Sequence, residues 1–247
     1  MPRLLHVLLL SLVTAIATAA DIKVMSAGAV EPGLVPLAQA FERETGHRVQ
    51  VGFATAPVLK QRLAAREVAD ILIAPPALVD EAVTADLAVA GERLLLGRVG
   101  VGVVTRSDGP APDIATTDAL KASLLAADSL VYNRASTGLY FEQLVERQGL
   151  TAALSARTTR YADGAAVLDH LARGKGREFG VAATTEIIAH APKGVKLVGP
   201  LPADVQNYTS YVAILLRGAP AAEAARAFIA FLGTAASKAR FAAAGIE

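Results

Sequence analysis

DIKVMSAGAVEPGLVPLAQAFERETGHRVQVGF, residues 21–53, decides how the rest of the chain is read. DIKVMS (21–26) is a short apolar run of strand type. LVPLAQAFERETG (34–46) spaces its apolar residues as an amphipathic helix does and stops at Gly46. HRVQVGF (47–53) alternates as a second strand. The same rhythm continues through PVLKQRLAARE (57–67), a helix opened by Pro57. ADILIAPP (69–76) is a continuous apolar strand of the kind buried on both faces, and ALVDEAVTADL (77–87) is a third helix. Successive strand–helix units predict a parallel sheet with helices on both faces.

The rhythm breaks at RLLLGRVGVGVVTRSDGPAPDIATTDAL (93–120), two apolar runs followed by a Gly/Pro-rich turn. VGVGVVT within it has the length and small residues of a strand crossing between two lobes. A second α/β series follows: SLVYN (129–133), a helix over 137–147, RTTRY (157–161), AAVLDHLARG (165–174), FGVAA (179–183) and VKLVG (195–199). NYTSYVAILLR (207–217) is long enough to return to the first lobe, and two Ala-rich helices (219–233 and 234–245) close the chain. The expected organisation is a leader over 1–20, a first lobe over 21–102 and 208–247, and a second lobe over 103–207. Ligands of open α/β sheets bind beyond the carboxyl ends of the strands, so two such lobes would hold a solute in the cleft between them.

The leader reading rests on MPRLLHVLLLSLVTAIATAA: a basic residue, Arg3, a short apolar run, then small residues ending Ala17-Thr18-Ala19. The run is shorter than the ~20 apolar residues a membrane span needs. The expected location is therefore periplasmic or secreted. Removing Arg3 with the leader leaves 23 basic residues against 23 acidic. A neutral chain is not drawn to nucleic acid or to an acidic membrane surface. The absence of Cys excludes disulfides, thiolate metal sites and thiol catalysis. No cofactor or metal is expected, and the protein is expected to be a monomer.

Four strand-to-helix joints are rich in small residues and hydroxyls: MSAGAVEPGL (25–34), FATAPVL (53–59), YNRASTGLY (132–140) and YADGAAVL (161–168). Each offers free backbone amides at a helix N-terminus, where a neutral protein can hold an anion. Each could equally be a plain helix cap. On the anion reading, residues 28–30, 54–56, 136–138 and 164–166 share one gap.

The order DIKVMSAGAVEPGLVPLAQAFERETGHRVQVGFATAPVLKQRL…ADILIAP resembles the start of the molybdate-binding periplasmic protein family, and YNRASTGLYFEQLVERQG and FGVAATTEI fit its second lobe. The resemblance spans the chain beyond the leader. It implies an α/β, two-lobed type II periplasmic binding-protein fold, with two mixed sheets flanked by helices and a hinged cleft. It also implies closure on a small oxyanion that is passed to an ABC permease. In that family serine hydroxyls of the first two loops reach the ligand; Ala29 (after Gly28 and before Val30) and Ala56 stand at those positions, with Ser26 and Thr55 nearby. The second-lobe backbone donors map to Thr137, beside Ser136, and to Ala165 or Gly164. The ligand-facing tyrosine falls near Ser210, flanked by Tyr208 and Tyr211.

Asn133, Arg134 and Asn207 add donors of longer reach, which would suit an organic di- or tricarboxylate gripped by a guanidinium. A ligand sensor that signals to a membrane receptor is the other alternative. No H-E-x-x-H, G-x-S-x-G or Walker pattern is present, and KQRLAARE (60–67) and the Asp169-His170 pair read as solvated helix faces. The sequence is thus read as that of a binding protein and not of an enzyme.

Overall fold

The computed structural model describes residues 19–247, so residues 1–18 of the expected leader lie outside the described residues. The chain opens with β1 (Asp21–Ala27), α1 (Glu31–Thr45), β2 (Arg48–Ala54), α2 (Ala56–Ala64), β3 (Ile71–Ala74) and α3 (Pro76–Thr84). β1, β2 and β3 are parallel, in the order β2-β1-β3. β3 is buried at all four positions, as its unbroken apolar run predicts. α1 starts at Glu31, three residues before the sequence expectation, because Pro32 in its first turn has no amide to lose. It ends at Gly46, whose φ of 76° is left-handed.

β4 (Ala88–Arg106) follows, a single strand of 19 residues where two apolar runs were expected. Its register shifts next to Gly97, where φ is 145°. A side chain there would meet the Glu247 carbonyl, 2.6 Å from the Cβ position, because the chain terminus pairs with Arg98 on that edge.

The second series is α4 (Thr117–Ala126), β5 (Ser129–Asn133), α5 (Ser136–Arg147), α6 (Thr151–Leu154), β6 (Thr158–Tyr161), α7 (Gly164–Arg173), β7 (Glu178–Ala183), α8 (Thr184–His190) and β8 (Val195–Pro200). β9 (Tyr208–Leu216), α9 (Ala222–Leu232) and α10 (Ala235–Ala243) complete the chain. β5 pairs parallel with both β6 and β7. The two expected sheets are joined through β4 into the path β2-β1-β3-β9-β4-β7-β5-β6, with β8 beside β4. The first part of β4 runs antiparallel to β9 as far as Gly100; from Val101 onwards it is antiparallel to β7.

Two sets of cores result. One is built from residues between Ile22 and Val99 and between Tyr211 and Ile246, together with Ala183. The others are drawn from residues between Val101 and Leu201. α4 and α8 have no counterpart in the sequence reading. α4 is opened by Thr116, whose hydroxyl accepts from the Ala119 amide at 3.1 Å.

Asp70, 1 % exposed, ties the first core together. Its carboxylate accepts from the Lys23 amide in β1 and from the Ala221 amide at the start of α9, each at 2.7 Å.

Candidate functional site

A cavity of about 330 Å³ opens where the two sets of cores face each other. Its wall takes Ala27, Ala54 and Asn133 from the carboxyl ends of β1, β2 and β5, and Ala183 from the end of β7. Pro75 and Ala162 join it from just beyond β3 and β6. These are the strand ends at which open α/β sheets receive ligands. All four small-residue joints contribute: Gly28 and Ala29, Thr55 and Ala56, Ser136 and Thr137, Asp163 and Gly164.

Two helix N-termini in this wall keep unpaired amides. α2 starts after Thr55, whose side chain makes no cap bond, so the amides of Ala56 and Val58 have no acceptor within the helix. Pro57 between them has no amide to offer. At α5 the Asn133 side chain accepts from the amides of Ala135 (3.0 Å) and Gly138 (3.1 Å), leaving those of Ser136 and Thr137 without a helical acceptor. Gly138 is required here, because any side chain would collide with the Asn133 carbonyl. YNRASTGLY therefore combines a side-chain cap with free backbone donors. Asn133 supplies the cap, and the backbone beyond it supplies the free donors.

The wall also carries three carboxylates. Asp163 caps α7, its carboxylate accepting from the Ala166 amide at 2.9 Å. Glu31 opens α1, and Glu186, half-buried, stands in the first turn of α8. The Glu186 carboxylate lies against the backbones of Gly164 and Gly28, where any side chain would crowd it. Burial pushes the Glu186 carboxyl up to about 7; a hydrogen bond from the Ala183 backbone works against this, and the charges of Asp163 and Glu31 add to it. Tyr211 is also raised, first by burial and then by the Glu186 charge, against hydrogen bonds with Ser136 and Thr209. It stays a neutral phenol at physiological pH.

The raised Glu186 carboxyl has a consequence for stability. An unfolded glutamate ionises near 4.5, so between that pH and about 7 the folded state holds the extra proton. Stability should therefore fall as pH rises through this window, by about 3 kcal/mol. Glu186→Gln should remove the slope. Urea midpoints of variant and wild type should coincide near pH 4.5, with the variant higher at pH 8; parallel curves would rule out the shift.

Of the residues singled out in the sequence, Gly28, Ala29, Thr55, Ala56, Asn133, Ser136, Thr137 and Tyr211 line the cavity. Five lie outside its wall. Val30 is fully buried in the first core. Arg134 is exposed, with only its amide engaged, donating to the Tyr161 carbonyl at 2.9 Å. Ala165 is exposed beside Gly164, which lines the wall in its place. Tyr208 is 40 % exposed, with the Arg98 guanidinium over its ring. Ser210 precedes Tyr211 on β9 and so faces the other side of the strand.

The sequence reading missed Glu186, Glu31 and Arg62, all in the wall. Arg62 belongs to the stretch taken as a solvated face. It is the one Lys or Arg side chain among the cavity-lining residues and pairs loosely with Glu67 at 3.8 Å. The motif Ala183-Thr-Thr-Glu186 has a glutamate three residues after the cap position, half of a capping box, and that was the available signal. His170 is engaged away from the cavity, between the Tyr161 hydroxyl (2.6 Å) and Glu178 (2.9 Å).

Residues 22–247 match the family of bacterial extracellular solute-binding proteins. The chain belongs to that family. Among solved structures, this solute-binding protein is similar to the periplasmic molybdate-binding protein of Azotobacter vinelandii, with a TM-score of 0.77, 18% identity and coverage of 92% of this chain and 98% of that one. It is also similar to the sulfate-binding protein SubI of Mycobacterium tuberculosis, with a TM-score of 0.74 and 18% identity over 92% of this chain and 86% of that one. Both likenesses establish the fold. In sequence it is 27% identical, over 217 residues, to an aconitate isomerase from a Pseudomonas species, covering 85% of this chain and 81% of that protein.

Proposed function

We propose that this protein captures a small organic polycarboxylate in the cavity between its two cores and delivers it to an ABC permease. The observation that carries this is the presence, in one wall, of free helix-end amides together with three carboxylates. Free amides of α2 and α5, with Arg62 elsewhere in the same wall, can replace the hydration of carboxylate groups. Glu31, Asp163 and Glu186 would repel an anion that is charged all round. A tetrahedral oxyanion presents charge in every direction, and the two positions where the resemblance implies serine hydroxyls are Ala29 and Ala56. A polycarboxylate carries its charge in separate groups, which can meet the free amides while its carbon skeleton meets the acids.

The sequence reading placed a molybdate-type oxyanion ahead of an organic acid; the three carboxylates in the wall are the reason the organic acid is put first here. The name of the Pseudomonas relative points to the same ligand class. That name also favours a second reading, in which the cleft acts on the acid it holds.

Thermal shift and calorimetry with citrate, cis- and trans-aconitate and tricarballylate, against molybdate, tungstate and sulfate, test the ligand class. A ligand at one hundred times its Kd should stabilise the protein by about 2.7 kcal/mol. The polycarboxylates should do so. Stabilisation by the tetrahedral anions alone would overturn the proposal.

A further inference from the structure

We propose that Thr185 is a positioning residue for solute binding: its buried hydroxyl ties the 28–30 joint of the first core to α8 and so sets how far the cleft stands closed. This role goes beyond the polycarboxylate reading and holds for any solute the cavity takes. Thr185 is 0 % exposed, and its hydroxyl donates to the Ala29 carbonyl at 2.6 Å, across 156 positions of chain. Hydroxyls in the first turn of a helix ordinarily bond to backbone nearby. Thr184 and Thr185 open α8, yet that helix has no side-chain cap. The Thr185 hydroxyl is spent on the other half of the molecule instead.

α8 divides its side chains between the two halves. Thr184 and Ile187 pack over Gly102, in the part of β4 that pairs with β7, and Ile187 is buried in the second set of cores. Thr185, Glu186 and Ile188 turn the other way. The Glu186 carboxylate lies by Gly28, and the Thr185 methyl and Ile188 lie by Gly245 near the end of the chain. Ala183, just before α8, sits opposite Val101 in the pairing of β7 with β4, yet it belongs to the first core. α8 therefore starts where β4 exchanges β9 for β7 and fills the angle between the halves.

Apolar contacts let one half slide a little over the other, whereas a hydrogen bond fixes both distance and direction. Opening the halves at this seam would strand the Ala29 carbonyl, which is costly in a buried place. Ala29 also lines the cavity and is 7 % exposed. Holding its carbonyl on α8 keeps the first-core part of the wall at a set distance from Ser136 and Thr137 across the cavity. A solute that must touch both parts binds only molecules in which that distance is right. Its apparent Kd is the intrinsic value divided by the fraction of such molecules.

The test measures that fraction and the affinity together. The chain has no Cys, so Gln61→Cys on α2 and Asp169→Cys on α7, both exposed, take two unique spin labels, one on each side of the cavity. Pulsed electron resonance then gives the distribution of distances between them in the full protein without solute. Calorimetry with tricarballylate, and with molybdate in parallel, gives Kd. Thr185→Val keeps the shape of the side chain and removes the donor. It should move weight from the separation seen in the structure to a longer one and raise Kd about tenfold, by the factor through which the shorter population falls. Thr185→Ser, which keeps the hydroxyl, should restore both quantities to near the wild-type values. Thr185→Ala removes the same donor and is measured in place of valine if the valine variant does not fold.

Wild-type distances and wild-type affinity in a variant that lacks the hydroxyl would overturn the inference, even with a lowered thermal midpoint, and would leave Thr185 a packing residue only. A raised Kd with unchanged distances would overturn it as well. Molybdate binding without tricarballylate binding would instead sink the polycarboxylate reading, and the Thr185 comparison would then be decided on the Kd of molybdate.

Discussion

Asp70→Ala is expected to destabilise the protein by about 3–5 kcal/mol, measured as the change in urea-unfolding free energy. The Asp70 carboxylate reaches two backbone amides at 2.7 Å, that of Lys23 in β1 and that of Ala221 ahead of α9, from residues 47 and 151 positions away. Its own amide donates to the Lys23 carbonyl, and its carbonyl accepts from Leu216 in β9, both at 2.8 Å. One residue thus joins the start of the chain to its return segment. Alanine would keep the backbone bonds and strand two amides where water has little access. Asp70→Asn keeps one acceptor oxygen and should cost less than half as much. A loss under 1 kcal/mol for alanine would show that those amides find other partners. Ligand affinity measured well below the unfolding transition should be nearly unchanged, because Asp70 does not line the cavity.

Ser136→Pro should weaken polycarboxylate binding by about 10- to 100-fold while the thermal midpoint moves by only a few degrees. Ser136 is the first residue of α5, where proline is tolerated because that amide has no helical acceptor to lose. Ala135 before it is already extended, with φ −90° and ψ −175°, as a residue preceding proline must be. The substitution deletes one backbone donor from the cavity wall and leaves the helix standing. A hydrogen bond to a charged group is worth ~1.5–3 kcal/mol, or roughly one to two powers of ten in Kd. Ser136→Ala is the control: it removes only the hydroxyl that pairs with Tyr211, and should cost a few-fold at most. Equal affinities for Ser136→Pro and Ser136→Ala would falsify the claim that the α5 amides hold the ligand.

Much of the fold was legible because its signals are local. ADILIAPP announces a strand buried on both faces, and β3 is that strand. Gly46 stops α1 because the turn after it needs a left-handed residue. α8 was not legible: it has seven residues and no hydroxyl or carboxylate cap at Ala183. The length of β4 was also hidden, since Gly97 breaks its pattern and the pairing with Glu247 that accommodates the break comes from the far end of the chain.

By itself, the sequence determined the alternation of strands and helices and the joints with free amides, because each depends on neighbours a few residues apart. Only the tertiary structure decided which joints share a wall and which acids face them. Gly28, Gly164 and Glu186 come from three distant segments, and their contact depends on how β4 and β9 pass between the two cores. For the same reason no local pattern could reveal the environment of Glu186. The proton affinity of a carboxyl is set by what surrounds it in space, and here that is a half-buried position with Asp163 and Glu31 close by.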